Sequence, residues 1–485
     1  MGDDEKRPIS PMKLMHVAFI ESQAFRIFIT NFLMAYNIRA GIAVLLRLMM
    51  LLVKRPKDLF SISKFLGETH LTFRIEAVRI GLFIGGFSGL YTALTHTLAR
   101  VSGARVGWHS LVGGWIAGWT LSFMDPSWHR TLALYMSTRT LQCMYNFAKT
   151  NGYWHFWGSS WQHGDSLLFM ASSAQIMYAY VMRPETLPSS YYKFIVRQGP
   201  IDETILKAVR SNIRGKPIDV QAVNNFLGKA GGQEAVHACK SFLTTDMPLL
   251  IPARALHPKT SNGLVSSLGA FLGVAKQIFP VYLSLALVPA VVLRFRQFVQ
   301  SPLSTLLGSA IGALQSTAFL SSFCGGYMLF IDLQRLVLEK FRLRDHKFWY
   351  YIAAVFSGFS ILIERKNRRS ELALYAFPRA VDSIFLILND HRLAFRVPLG
   401  ENILFAFSMS VIMWFYEKDI NNLSPLVAKL LHRFIPLKSL HRNFNKVQED
   451  DSSDSEEMAG DQSSKSSLRH SVSVMSLSGD SVLVP

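Results

Sequence analysis

Cysteine is scarce and widely scattered in this chain: Cys143, Cys239 and Cys324 are its only three. That spacing excludes a disulfide framework and any Cys-x-x-Cys metal site. Charge is thin as well, with 17% of the 485 residues charged, against about 25% in an average soluble protein. The His-Asp or multi-histidine clusters that membrane acyltransferases and desaturases need are missing, which argues against an enzyme. His155 and His163 have no acidic or cysteine neighbours and read as interfacial polar residues rather than ligands, so neither a metal nor a cofactor is expected. The GKAGG stretch, 228–232, lacks the G-x-x-x-x-G-K-[ST] pattern and a preceding strand, which excludes a phosphate loop. The opening MGDDEKRP has neither the apolar run of a secretory signal nor the acid-poor character of a mitochondrial presequence. It also misses the myristoylation pattern, because Lys6 stands where Ser or Thr is required, and SVLVP at the other end is neither a prenylation box nor a peroxisomal address. Insertion is therefore expected to rely on internal hydrophobic segments.

Apolar residues are abundant. Half of the chain is hydrophobic, gathered in blocks of about 20 residues, long enough as helices to cross a hydrocarbon core of about 30 Å. The formal charge of +18 lies mostly between the blocks, where it suits anionic lipid headgroups. No basic helix or aromatic-basic array points to nucleic acid.

Two stretches 240 positions apart share one layout. In LSFMDPSWHRTLALYMSTRT, Leu121 to Thr140, and ILIERKNRRSELALYAFPRA, Ile361 to Ala380, the sequence Leu-Ala-Leu-Tyr recurs without a gap. Tyr135 matches Tyr375, Arg139 matches Arg379, and upstream Gly118 matches Gly358. A ladder of small residues precedes each copy: Gly81, Gly85 and Gly89 in the first, Gly308, Gly312 and Ser316 in the second. With Gly114, Gly118 and Gly358, these are read as helix-packing positions, since small residues four apart let helix backbones approach closely. Self-similarity of this kind predicts an all-α, polytopic helical membrane protein built from two tandem repeats of about four to five hydrophobic segments each.

The expected organisation is a polar lead (1–24), a first membrane repeat (25–197), an extramembrane helical linker interrupted at Gly215 and Gly231 (198–250), a second membrane repeat (251–436) and an acidic, serine-rich tail (437–485). Such a tail cannot bury enough apolar surface to offset its chain entropy, so disorder is expected from about residue 447. Segments at 111–124 and 131–147 read either as two tilted spans or as a hairpin that does not fully cross. A charge at the bilayer centre is costly, so Arg139 and Arg379, each one turn after Tyr135 or Tyr375, read in two ways. They bind an anionic lipid or fatty-acyl ligand, or they satisfy the bundle internally; Asp382, three residues beyond Arg379, offers such a partner.

The tandem pattern resembles the transmembrane protein 135 family, also described as peroxisomal membrane proteins. More distantly, it is similar to the four-helix channel subunits of the mitochondrial inner-membrane translocase. ILIERKNRRSELALY resembles the family signature, AGWTLSFM…LALYMSTRTLQCMYNFAKTNG with RPETLPSSYYKFI resembles its second repeat, and LHPKTSNG (256–263) is similar to the His-Pro element of its other repeat. The IERK-type repeat comes first in the animal family and second here, and the family's many cysteines are absent. The resemblance implies a peroxisomal or mitochondrial membrane, organelle maintenance and fatty-acid handling, and transfers no catalytic residue. Three functions are thus expected in order: transport of a lipid or fatty-acyl species, or its regulation; a scaffold for organelle division that recruits soluble partners; and a translocase-like channel.

Overall fold

The computed structural model describes residues 23–41, 69–103, 106–153, 161–240, 244, 248–260, 262–293, 295–395 and 397–435. The acidic tail, nearly all of the polar lead and Trp154 and Trp157 lie outside the described residues. Among the described residues there is no strand.

In chain order the described helices of ten or more residues are α1 (residues 23–41), α2 (Thr69–Val101), α3 (Gly107–Gly118), α4 (Pro126–Thr150), α5 (Gly164–Met182), α6 (Ser189–Gln198), α7 (Glu203–Ile213), α8 (Val220–Ala238), α9 (Gly263–Leu293), α10 (Pro302–Lys340), α11 (Phe348–Gly358), α12 (Lys366–Asp390), α13 (Gly400–Lys418) and α14 (Pro425–Phe434). Local chemistry sets several boundaries. The Asp202 and Asp219 carboxylates accept from the backbone N–H groups of Thr204 and Ala222, capping α7 and α8. Gly215, at φ +65°, turns the chain between these two helices, and Gly232, at φ +69°, breaks α8.

The elements recur in series. A five-residue 3-10 turn, Trp119–Phe123 or Phe359–Ile363, follows α3 and α11. Next comes a 25-residue helix, α4 or α12, displaced by 240 positions like the turn before it. A 19-residue helix (α5, α13), a three-residue 3-10 turn (Pro184–Thr186, Ile420–Asn422) and a 10-residue helix (α6, α14) follow at 236 positions.

Three helical stretches among the described residues are long and apolar enough to cross a membrane: Ile75–Val101, Gly263–Leu287 and Pro302–Lys340. This is the character of an integral membrane protein. The other expected blocks take different forms. α3 and α11 have 12 and 11 residues, whereas α4 and α12 are long but polar in their first turns, where Arg130 or Lys366, Arg368 and Arg369 stand. At 39 residues, α10 is about 58 Å long.

The chain packs as two compact units, Met1–Phe147 with Glu401–Pro485, and Ala148–Gly400. α5 and α6 thus belong to the unit that holds α9 to α12, and α13 and α14 to the unit that holds α1 to α4. In the first unit the stripe on α2 meets α1: a methyl at Gly85 would lie 2.8 Å from the Phe28 carbonyl oxygen, and methyls at Gly81 and Gly89 would strike Phe32 and Phe28. Asn31 on α1 donates to Ser88 Oγ at 2.8 Å and to the Phe434 carbonyl at 2.7 Å. Gly114 and Gly118 on α3 admit α13, with Ser410 and Ala406 against them. Thr140 Oγ1 donates to the Ser408 carbonyl at 3.1 Å. Tyr91, Leu121, Phe405, Ile412 and Tyr416 fill the core between these helices.

The second unit pairs α9 with α10 and seats α5 against α11 and α12. Gly358 faces Met170 of α5, and Gln175 bridges Ser383 (3.0 Å) and Tyr351 (2.6 Å). Arg210 and Arg214 from α7 donate to the Val181 and Met182 carbonyls at the end of α5, where cations suit both the free acceptors and the helix dipole. The second glycine ladder behaves differently from the first. Gly308 has nothing within 4 Å among the described residues, and Gly312 faces only the Arg365 guanidinium, at 3.6 Å. The close approach in α10 is at Gly325, against Phe271 and the Ser267 carbonyl of α9.

Candidate functional site

A cavity of about 520 Å³ lies in the second unit, walled by α5, α6, α9, α10 and α12. That volume falls within the roughly 300–1,000 Å³ of small-molecule sites. Phe169, Ile176, Ile278, Phe319, Phe323 and Leu372 give it an apolar wall, and among the described residues no Asp, Glu, Lys, Arg or His lines it. Close packing of α9 on α10 at Gly325 fixes one end of the helix pair. From α9, Ile278, Val281, Tyr282 and Leu285 line the cavity.

Its few polar groups are uncharged. Tyr180 on α5 and Tyr327 on α10 are 2% and 3% exposed, and their hydroxyls find no hydrogen-bond partner among the described residues. Gln198 Oε1, at the end of α6, is also buried without one. An unmade hydrogen bond at a buried polar atom costs about 1–3 kcal/mol, so three around one cavity call for a reason. Burial pushes the Tyr191 phenol up to about 12, with Arg379 pulling the other way, so this wall residue is protonated at physiological pH.

The residues singled out in the sequence separate here. Tyr375 lines the cavity, and the Arg379 guanidinium lies over its ring at 3.9 Å and over Tyr191 at 4.9 Å. Arg379 also donates to the Tyr375 carbonyl at 2.8 Å. Tyr135 and Arg139 belong to the first unit. There Arg139 is 2% exposed and donates to the Tyr135 hydroxyl at 3.1 Å and to Gln142 Oε1 at 3.0 Å. The matched arginines thus have different surroundings: one is enclosed among polar groups, the other stacked behind a cavity wall.

No protein-family model and no solved structure matches the chain.

Sequence reading missed a second buried cluster. His257 of the His-Pro stretch meets Asp332 of α10 at 2.6 Å. One turn on, Arg335 donates to the Ile251 carbonyl and lies 3.8 Å from Asp345, which accepts from the Tyr350 hydroxyl at 2.8 Å. All five side chains are buried. Gly263 leaves room for Asp332, whose carboxylate would sit 3.0 Å from an added methyl. Among the described residues no group of three or more His, Cys, Asp or Glu side chains is placed to hold a metal ion.

Proposed function

We propose that this is a multi-pass membrane protein that binds a lipid or fatty-acyl species and moves it, or regulates its movement, without catalysing a reaction. The cavity carries this reading: it is apolar, holds a few polar groups, and is bounded in part by two membrane-length helices, α9 and α10. A channel would instead need a polar path, and among the described residues no charged group lines the cavity.

Two copies of one ancestral unit, each closed by the other's last two helices, account for the serial recurrence of the elements. Supporting this reading, Gly118 meets Ala406 in one unit and Gly358 meets Met170 in the other. Each partner is displaced by the same 240 and 236 positions as the helices that carry them. Paired repeats are common in transporters. The likeness of ILIERKNRRSELALY to the transmembrane protein 135 family supports, on this reading, a peroxisomal or mitochondrial membrane.

Reconstitution into liposomes with labelled acyl lipids tests the reading. The protein should accelerate lipid transfer over protein-free vesicles. Val281→Trp, which fills the cavity from a half-exposed position on α9, should remove most of that acceleration while leaving helical content intact. Rates equal to those of protein-free vesicles, or an unimpaired Val281→Trp protein, would contradict it.

A further inference from the structure

The two units hold a tyrosine at the same place, and only one of them is satisfied. Tyr416, near the end of α13, donates to the Ile435 carbonyl at 2.7 Å, just beyond α14. Tyr180, 236 positions earlier, stands near the end of α5, and the counterpart of Ile435 is Gly199, just beyond α6. The Tyr180 hydroxyl would lie only 3.0 Å from a methyl at Gly199, so glycine leaves it room. Its hydrogen bond is not made, and the residue faces the cavity with Tyr327 and Gln198. A phenol used for internal closure in one unit is thus left over in the other.

Resting on the lipid-binding reading of this cavity, we propose that its ligand is a single acyl or alkyl chain ending in an uncharged hydrogen-bonding group, anchored by Tyr180, Tyr327 and Gln198. Two phenols can donate to a ligand oxygen, while Gln198 Oε1 can only accept, so the matching head both accepts and donates, as an alcohol or primary amide does. An anionic head would lose its hydration in a wall with no countercharge, and a buried unpaired charge is far more costly than a buried hydroxyl. Arg379 is held over the rings of Tyr191 and Tyr375 and is not itself part of the wall, so it offers such a head no direct ion pair.

Full-length protein in nanodiscs, with tritiated 1-hexadecanol as the probe, tests the proposal by displacement. Hexadecanol should bind saturably, and affinity should rise about four-fold per added methylene across shorter chains until the cavity is full. Hexadecyl sulfate, with the same chain and a permanent charge, should compete at least ten-fold less well. The Tyr180→Phe, Tyr327→Phe double variant should weaken hexadecanol by roughly five- to 150-fold, the loss of two net hydrogen bonds. Hexadecane binding should not change, since each ring stays in place, and the melting temperature of the ligand-free protein should not fall, since two unpaired buried hydroxyls are removed. Hexadecyl sulfate binding as tightly as the alcohol would overturn the uncharged head and leave the lipid reading standing. Unchanged alcohol affinity in the double variant would overturn the phenol anchor. Absence of saturable binding by both hexadecanol and hexadecane would end both readings together.

Discussion

Replacing Arg335 by leucine is expected to destabilise the fold by about 3–5 kcal/mol, the loss seen when one member of a buried ion pair is removed. Arg335 is 3% exposed and lies within reach of the Ile251 carbonyl, Asp345 and the Tyr350 hydroxyl. Without its charge, Asp345 and Asp332 stay buried, with His257 beside Asp332 and no arginine to balance them. Arg335→Lys keeps the charge but loses the planar fork that reaches several acceptors, so it should fall between the two. Arg335→Leu combined with Asp345→Leu should recover much of the loss, because no unpaired charge remains at that pair. Thermal unfolding of the purified variants reads all three. A single leucine variant within about 1 kcal/mol of the parent would mean that the cluster contributes little.

Gly118→Ala and Gly308→Ala should act in opposite directions, although the sequence places both in small-residue stripes. A methyl at Gly118 would lie 2.5 Å from the Ala406 Cα and 3.0 Å from its Cβ. Backbone cannot yield as a flexible side chain does, so α3 and α13 must part, at about 1–3 kcal/mol or more. At Gly358 the obstacle includes the Met170 side chain, with Cγ at 2.8 Å and Cα at 3.1 Å. Methionine adapts readily, so Gly358→Ala should be milder than Gly118→Ala. Gly308 has open space among the described residues, and alanine there should stabilise α10 by about 0.5–1 kcal/mol through reduced chain entropy. Melting temperatures in one detergent should therefore rank Gly308→Ala above the parent, then Gly358→Ala, then Gly118→Ala. Equal losses at Gly118 and Gly308 would contradict this account of the stripes.

The same glycines mark how far the sequence can be read. Apolar periodicity and local punctuation were enough to expect helices at α2, α9 and α10 and breaks at Gly215 and near Gly231, because those depend on neighbours in the chain. The packing partner of a small residue does not. Gly85 meets Phe28 and Gly118 meets Ala406, whereas Gly308 meets none of the described residues, and small-xxx-small spacing is identical in all three. Long-range pairing hid the His257–Asp332 contact for the same reason, since 75 positions separate the two residues.

The cavity was illegible from sequence because five helices each contribute a few ordinary aliphatic and aromatic residues. Its one visible signal was a tyrosine inside an apolar run, as in Tyr180 of YAYVM and Tyr327 of GGYMLF. A phenol there needs a partner, and such residues merit a search for the missing one. The Tyr-Arg pairs drew attention first because of their repeated register, yet Arg139 is enclosed by Tyr135 and Gln142. A shared Leu-Ala-Leu-Tyr followed one turn later by arginine therefore does not fix equivalent surroundings.

Photolabelling with a diazirine-bearing hexadecyl alcohol tests occupancy of the cavity most directly. Full-length protein in nanodiscs is irradiated with the probe, digested, and the adducts are mapped by mass spectrometry. The account predicts saturable labelling within α5, α9 and α10, at wall residues such as Met177, Tyr282 and Phe323, suppressed by excess hexadecanol and by Val281→Trp. Saturable labelling confined to other parts of the chain, or labelling that Val281→Trp leaves unchanged, would contradict it.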